Sequence, residues 1–138
     1  MELSNLSSCR PFHYEVNLSS LDMINMPGPI TLLPTISSNQ FYDIHRIVWK
    51  LKYGTTPYDY VGEIYFTIGA ERLATFQADN LAIDRSSAAV SNANICKDFK
   101  CPFIELGETL KLELSGTPPT VGDSQIKIDI HYYVEQID

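Results

Sequence analysis

Apolar and polar residues alternate strictly in two segments near the end of the chain. In Leu110–Leu114 every second residue is leucine and the residues between are charged, and residues 126–132 repeat the pattern with isoleucine. In a β-strand, successive side chains point to opposite faces, so a period of two residues places all the apolar side chains on one face. Both segments are therefore predicted to be strands with one buried face. Residues 115–123 between them are rich in Ser, Gly, Thr and Pro, as turns are. We therefore expect an antiparallel sheet with one face in water.

The longest predicted strand covers residues 41–53, and residues 63–68 predict another. In the longer strand, bulky apolar side chains share one face, and the opposite face carries Arg46, Lys50 and Lys52. The apolar rows of these four strands are expected to form one core. Its predicted members are Ile47, Trp49, Leu51, Ile64, Phe66, Leu110, Leu112, Leu114, Ile126, Ile128 and Ile130.

The first part of the chain predicts shorter elements. Residues 12–18 alternate imperfectly and predict a first strand. Residues 19–25 follow as a short helical turn with a serine cap. Its apolar residues at a spacing of three, Leu21 and Ile24, are expected to face the core.

Three further segments are less regular. Residues 30–34 and 95–104 predict strands, whereas 73–83 fit either a helix or a strand followed by a loop. The total of about seven or eight strands predicts an all-β fold, an antiparallel β-sandwich of jelly-roll-like type with at most one or two short helices. No linker divides the chain, so we expect an N-terminal arm, residues 1–11, followed by a single sandwich domain, residues 12–138.

The chain is acidic, with a formal net charge of −7 over 138 residues and a pI near 4.8. Proteins that bind nucleic acid carry basic patches, so this composition argues against a nucleic-acid partner. No apolar run is long enough to span a membrane, and the start of the chain is too polar for a secretory signal peptide. We therefore expect folding in a cytoplasm, with no membrane partner.

Three cysteines, Cys9, Cys96 and Cys101, raise the question of a metal site. A zinc site would need all three to converge with His13. Neither half of this set has the two-residue spacing of structural zinc motifs. We expect free thiols in a reducing compartment, no bound metal and no cofactor.

The residue patterns of common catalytic sites are missing from the sequence. The three histidines, His13, His45 and His131, are scattered along the chain. No serine lies in a Gly-x-Ser-x-Gly turn, and the glycines form no phosphate-binding loop. A nucleophile, a base and a group that orients them are all needed for catalysis, so the protein is predicted not to be an enzyme.

Four tyrosines, Tyr53, Tyr58, Tyr60 and Tyr65, cluster around the turn at residues 54–62. Tyrosine at loops often serves binding, because its ring is apolar and its tip is polar, so these four are candidate interface residues. The alternative is structural: Tyr53 and Tyr65 would pair across adjacent strands, and the other two would brace the turn. The sequence leaves both interpretations open.

Four segments, taken in order, resemble a known class of protein. They are VNLSSLDMINM at residues 16–26, PITLLP at 29–34, LKYGTTPY at 51–58 and GDSQIKIDIHYY at 122–133. The series resembles small jelly-roll structural proteins of tailed bacteriophages, which occur as head-decoration or cement proteins, head-fibre parts and tail components. The likeness runs over roughly residues 15–134.

This resemblance implies a homotrimer that folds in the host cytoplasm and becomes part of the virion. Its expected partner is the phage major capsid protein or another virion protein, and the family offers no catalytic residues. The sequence adds one observation of its own. Few charges lie along residues 53–65, so this stretch is predicted to be an exposed aromatic sheet edge at which copies associate.

Three alternative functions remain open from the sequence. A tail, baseplate or head-fibre component would differ from a capsid decoration protein only in its place on the particle. A carbohydrate- or receptor-binding module would use the tyrosine turn to contact sugar. An enzyme on a jelly-roll fold would need clustered histidines, which the sequence does not predict.

Overall fold

The computed structural model describes residues 12–92 and 105–137. In these residues the chain forms eight strands, one short α-helix and one turn of 3-10 helix. In chain order the elements are β1 (Phe12–Leu18), α1 (Ser20–Met23), β2 (Ile30–Thr31), β3 (Gln40–Lys52), β4 (Glu63–Ile68), β5 (Glu71–Gln77), the 3-10 turn (Ala78–Asn80), β6 (Ser87–Ser91), β7 (Leu110–Leu114) and β8 (Gln125–Gln136).

The strands form two four-stranded antiparallel sheets that pack as a sandwich. The first sheet has the order β1-β8-β3-β6 and the second has the order β2-β7-β4-β5. Strands pair as they would in one long folded hairpin, β1 with β8, β2 with β7, β3 with β6 and β4 with β5. This is the double Greek key of the jelly roll, and the predicted fold class is confirmed.

The core lies between the two sheets and contains the inward rows that the alternation predicts. Ten of the eleven predicted core residues belong to it and are at most 2% exposed, and the eleventh, Leu114, is half-buried and packs against it. Trp49 lies at the centre, with its ring centroid 6.3 Å from those of Phe66 and Phe76. Its indole N–H donates to the carbonyl oxygen of Asn80 at 2.7 Å, so its one polar atom is satisfied.

The two strands of the last third belong to different sheets. β7 lies in the second sheet and β8 in the first, so the polar loop between them crosses the sandwich instead of closing a hairpin. Alternation predicts correctly which face of each strand is buried. The alternation does not predict which strand each one pairs with, because pairing depends on strands distant in sequence.

Several short elements differ from prediction. The prediction that Leu21 faces the core is wrong: it is 86% exposed, and Met23 of α1 is buried instead. The segment 73–83 falls partly in strand β5 and partly in the 3-10 turn. β6 was not predicted, because its sequence, SAAVS, offers small side chains and no apolar alternation.

The prediction that residues 53–65 form an exposed sheet edge is wrong. β4 is an inner strand of the second sheet, paired with β5 on one side and β7 on the other. In residues 12–92 and 105–137 the sheet edges are β1, β6, β2 and β5. These strands are therefore the candidates for an edge-mediated contact within the described ranges.

Some predictions lie outside the described residues. These are the N-terminal arm at 1–11, the strand at 95–104 and the three cysteines, Cys9, Cys96 and Cys101. Within the described ranges, none of the helices is long and apolar enough to cross a membrane.

Candidate functional site

Tyr58 and Tyr60, two of the predicted interface tyrosines, are buried, each with 2% of its surface exposed. The hydroxyl of Tyr58 donates to the carbonyl oxygen of Ser124 at 2.5 Å. The hydroxyl of Tyr60 lies 2.6 and 2.7 Å from the carbonyl oxygens of Glu63 and Ser115. Burial raises the pKa of Tyr58 to about 12. Both rings face the protein interior and brace loops, so neither is available to a partner here.

Tyr53 and Tyr65 are half-buried and do not pair with each other, since Tyr53 follows a strand of the first sheet and Tyr65 lies in the second. The hydroxyl of Tyr53 donates to the carbonyl oxygen of Thr55 at 2.8 Å. The guanidinium of Arg72 lies 3.6 Å from the ring centroid of Tyr65, a cation–π contact. The tyrosine turn is thus mainly a structural element.

Two exposed aspartates fasten the loops around that turn. Asp59 accepts hydrogen bonds from Thr120 N–H at 2.7 Å, Thr120 Oγ1 at 2.6 Å and Val121 N–H at 3.1 Å. These bonds, with that from the Thr120 hydroxyl the strongest, lower the pKa of Asp59 to about 2. Asp123 accepts from Thr55 and Thr56 in the same way. The loops at this end of the sandwich are therefore preorganised.

The exposed aromatic surface lies instead on edge strand β1. Its inward-facing residues become more exposed toward its start: Leu18 is 6% exposed, Val16 is half-buried, Tyr14 is 40% exposed and Phe12 is 58% exposed. The inner face of β1 is therefore partly exposed at this end. We call Phe12, Tyr14 and the adjacent Tyr132 the aromatic edge.

Ring contacts give the aromatic edge a defined shape. Phe12 packs on Tyr132 with centroids 5.8 Å apart, and Tyr132 meets Tyr42 edge-on at 5.4 Å. The hydroxyl of Tyr42 donates to the carbonyl oxygen of Pro34 at 2.6 Å, which anchors the row to the core. The sequence predicts a strand over residues 12–18 but does not identify Phe12 and Tyr14 as exposed; their spacing of two, which puts both rings on one face of a strand, is the signal that could have paired them.

All three histidines lie on the outer face of the first sheet. His13 and His131 are opposite each other on β1 and β8, with their rings stacked at 4.8 Å. His45 lies 3.2 Å from Asp43 and meets the ring of Tyr133 at 4.8 Å. Burial lowers the pKa of His131, and the nearby His13 and Arg46 lower it further.

A buried carboxylate holds this outer face together. Asp129 is 6% exposed, its Oδ2 accepts from Nζ of Lys50 at 2.5 Å, and Nε2 of His13 lies 3.1 Å from its Oδ1. Burial raises the pKa of Asp129, but the hydrogen bonds from Lys50 and His13 together outweigh it, and the pKa lies below 3.8. The group is a network of ion pairs and hydrogen bonds beside a stacked imidazole pair on the outer face of the first sheet.

We expect Asp129→Asn to destabilise the fold by about 1–2 kcal/mol at neutral pH, because hydrogen bonds to a buried charge are lost. The folded pKa of Asp129 is lowered, so its stabilisation is present above pH 3.8 and disappears as the pH falls through the folded value. Urea denaturation at several pH values should show the two proteins converging in acid.

Glu15→Gln is the matched control for this prediction. Glu15 contacts Lys127 at 3.6 Å, and both side chains are more than 40% exposed. Such a pair contributes less than about 0.5 kcal/mol. Equal effects of the two substitutions would contradict the structural role of Asp129.

A groove of ≈ 690 Å³ opens at the other end of β1, β8 and β3. The strand register sets Asn17, Lys127 and Lys50 side by side, with Gln125 and Lys52 paired two residues further on. We call this feature the lysine groove. The sequence placed Lys50 and Lys52 on a solvated face but gave no sign that Lys127 joins them, since that depends on the register of β3 against β8.

Metal-ligating side chains do not assemble on these surfaces. In residues 12–92 and 105–137, no group of three or more His, Cys, Asp and Glu side chains is placed to hold a metal ion.

No family model matches this chain, and no curated protein matches it in sequence. Its function is therefore inferred from its residues, its fold and the surfaces described above.

Proposed function

We propose that the protein is a non-enzymatic structural subunit of a bacteriophage virion, a capsid decoration or cement protein that forms a homotrimer and binds the major capsid lattice. The observation that carries this proposal is the aromatic edge, a row of partly exposed rings at an edge strand, β1, that pairs only with β8 in the part of the chain that the structure describes. In this proposal the protein folds in the host cytoplasm and is then incorporated into the particle. A place in the tail, the baseplate or a head fibre is the alternative.

The fold and the charge support a structural role. The eight-stranded jelly roll is a common architecture of viral capsid domains, although it also serves lectins and cupins. The net charge of −7 keeps such a subunit from adhering to packaged or host nucleic acid during assembly. The four segments that resemble phage jelly-roll proteins point in the same direction.

Among the four sheet edges that the described residues form, β1 has the least of the usual protection against pairing with another chain. Natural edge strands are usually kept short, or are charged or interrupted. β2 has two residues, β6 has five, and β5 begins with the charged pair Glu71 and Arg72. β1 has seven residues, and Glu15 is its one Lys, Arg, Asp or Glu residue.

Three copies can bury this edge by a head-to-tail contact. In such an interface a patch on one subunit contacts a different patch on the next, and a rotation of one third of a turn closes the ring. The aromatic edge supplies the apolar rings that enrich interface centres, and its tyrosine hydroxyls supply polar contacts at the rim. Assembly would also satisfy the unpaired backbone groups of β1.

Light scattering tests the self-association. The wild-type chain should have the mass of a trimer, and the double substitution Phe12→Ser with Tyr14→Ser should give a monomer with an unchanged β-sheet circular dichroism spectrum. Val61→Ser is the control, because Val61 is 95% exposed but lies outside the sheet edges. A wild-type monomer at high concentration would contradict the trimer, and a trimeric double variant would contradict the choice of edge.

Particle composition tests the virion role independently. The chain should be found in stoichiometric amounts in purified particles of the phage that encodes it. Added back to particles stripped of it, the wild-type protein should bind and raise their resistance to heat. Purified particles that lack the chain would remove the virion role, whatever the oligomeric state.

A further inference from the structure

We infer that the lysine groove is a binding site for an acidic oligosaccharide. The groove gathers Lys50, Lys52 and Lys127, three of the ten Lys and Arg residues of a chain whose net charge is −7. Side-chain amides of Asn17 and Gln125 lie among the ammonium groups. Cations for acidic groups and amides for hydroxyls are the two kinds of contact that such a sugar needs.

The register of the strands brings three ammonium groups close together. Lys50 and Lys127 are direct partners on neighbouring antiparallel strands, a placement that destabilises a sheet when the charges are alike. Lys52 adds a third ammonium group from the next outward position of β3. Departures from local stability rules concentrate at functional sites. A bound anion would relieve this repulsion.

The carboxylates near the groove engage its three ammonium groups to different degrees. Lys50 is held by Asp129, while Lys127 has only the distant Glu15 oxygen at 3.6 Å. Lys52 has no ion pair within the part of the chain that the structure describes.

One carboxylate lines the groove itself. Asp22 accepts hydrogen bonds from the N–H and the hydroxyl of Ser19, at 2.8 and 3.1 Å. It is therefore engaged in capping α1. Lys52 has no ion pair among the described residues and the Lys127–Glu15 pair is long and exposed, so these two ammonium groups can turn to an anionic ligand.

The shape of the groove favours a saccharide over an acidic peptide. Peptides are commonly bound by strand addition at a free edge or by apolar pockets for their side chains. The three lysines lie on β8 and β3, which already have partners on both sides, so a peptide could add as a strand only at β1, which carries none of these lysines. The apolar residues beneath the groove, Leu18, Leu51 and Ile126, are at most 6% exposed, so they form a floor without side-chain pockets.

The size of the groove distinguishes a sugar from a simple ion. Its ≈ 690 Å³ lies in the range of small-molecule sites, several times the volume of one phosphate ion. The cationic positions extend over two rows of the sheet, so a ligand with several acidic groups would contact more of them than one small anion.

Isothermal titration calorimetry of the full chain tests the inference. The probes are tetragalacturonate, a heparin-derived tetrasaccharide, neutral maltotetraose, inorganic phosphate and an Asp/Glu-rich octapeptide. At least one acidic tetrasaccharide should bind, and maltotetraose should not. Lys52→Gln combined with Lys127→Gln should weaken that binding by about tenfold or more, since charge-assisted hydrogen bonds are lost.

Arg72→Gln combined with Lys111→Gln is the matched control. It removes the same charge from the second sheet, and it should bind the acidic sugar as the wild type does. No binding of either acidic sugar, or equal binding by the groove variant, would overturn the inference. So would phosphate or the octapeptide binding as tightly as the sugar.

Light scattering separates this result from the proposed assembly. The groove variant changes the far end of the strands from the aromatic edge, so its oligomeric mass should be that of the wild type. Loss of sugar binding with an unchanged mass would support the groove alone, and a monomeric wild type that still binds sugar would contradict only the assembly.

Discussion

Trp49→Ala should lower the free energy of unfolding by about 3–5 kcal/mol, the largest single effect that we expect in this protein. Trp49 is fully buried between the sheets and packs against Phe66 and Phe76. Truncation would leave a large cavity in the centre of the sandwich. It would also remove the indole N–H that satisfies the carbonyl oxygen of Asn80.

Urea denaturation followed by far-ultraviolet circular dichroism measures this effect. Fluorescence is unsuitable, because Trp49 is the only tryptophan of the chain. Trp49→Phe should cost less than the alanine variant, since it keeps an aromatic ring and loses mainly volume and the N–H. Val90→Ala on neighbouring β6 is the exposed control and should stay within about 0.5 kcal/mol of the wild type. A small effect of Trp49→Ala would contradict the packing of the core.

The buried rows could be predicted from the sequence because they are local. In β3, β4, β7 and β8, alternation fixes which side chains share a face, and the apolar face must leave water. The structure buries ten of those eleven residues almost completely, although it distributes their strands over both sheets. Local periodicity therefore predicts the inside of this protein better than it predicts its topology.

The roles of the aromatic residues could not be predicted, because they depend on distant parts of the chain. Tyr58 is buried by its contact with the loop before β8, where Ser124 accepts its hydrogen bond. Phe12 lies in the inward-facing row of β1, yet it is 58% exposed. The tyrosine at the turn, which the local sequence suggests for binding, is thus buried, whereas the phenylalanine in the strand is exposed.

The lysine groove shows the same limit. Lys50 and Lys52 could be placed on a solvated face from the spacing within β3 alone. Lys127 lies about 75 residues further along, and it joins them only through the register of β3 against β8. Strand β6 has no local signal at all. Its small side chains show no apolar alternation, and its pairing with β3 is what identifies it as a strand.

Gly122→Ala should lower the free energy of unfolding by about 2–4 kcal/mol, because two costs add. Gly122 has φ of +138°, a region that residues with a Cβ rarely adopt. A Cβ there would lie 2.3 Å from Cδ1 of the Tyr58 ring. The ring is buried and fixed by its hydroxyl bond to Ser124, so the backbone would have to move and would weaken that bond.

Gly116→Ala is the matched control for Gly122→Ala, and it isolates the backbone cost. Gly116 has φ of +68°, but nothing lies within 4 Å of the Cβ that it would gain. This variant should therefore cost only about 1 kcal/mol, the penalty of a left-handed conformation. Urea denaturation followed by Trp49 fluorescence measures both variants. If Gly122→Ala proved no more destabilising than Gly116→Ala, the Tyr58 ring would be able to move aside, and our description of a fixed loop around it would be wrong.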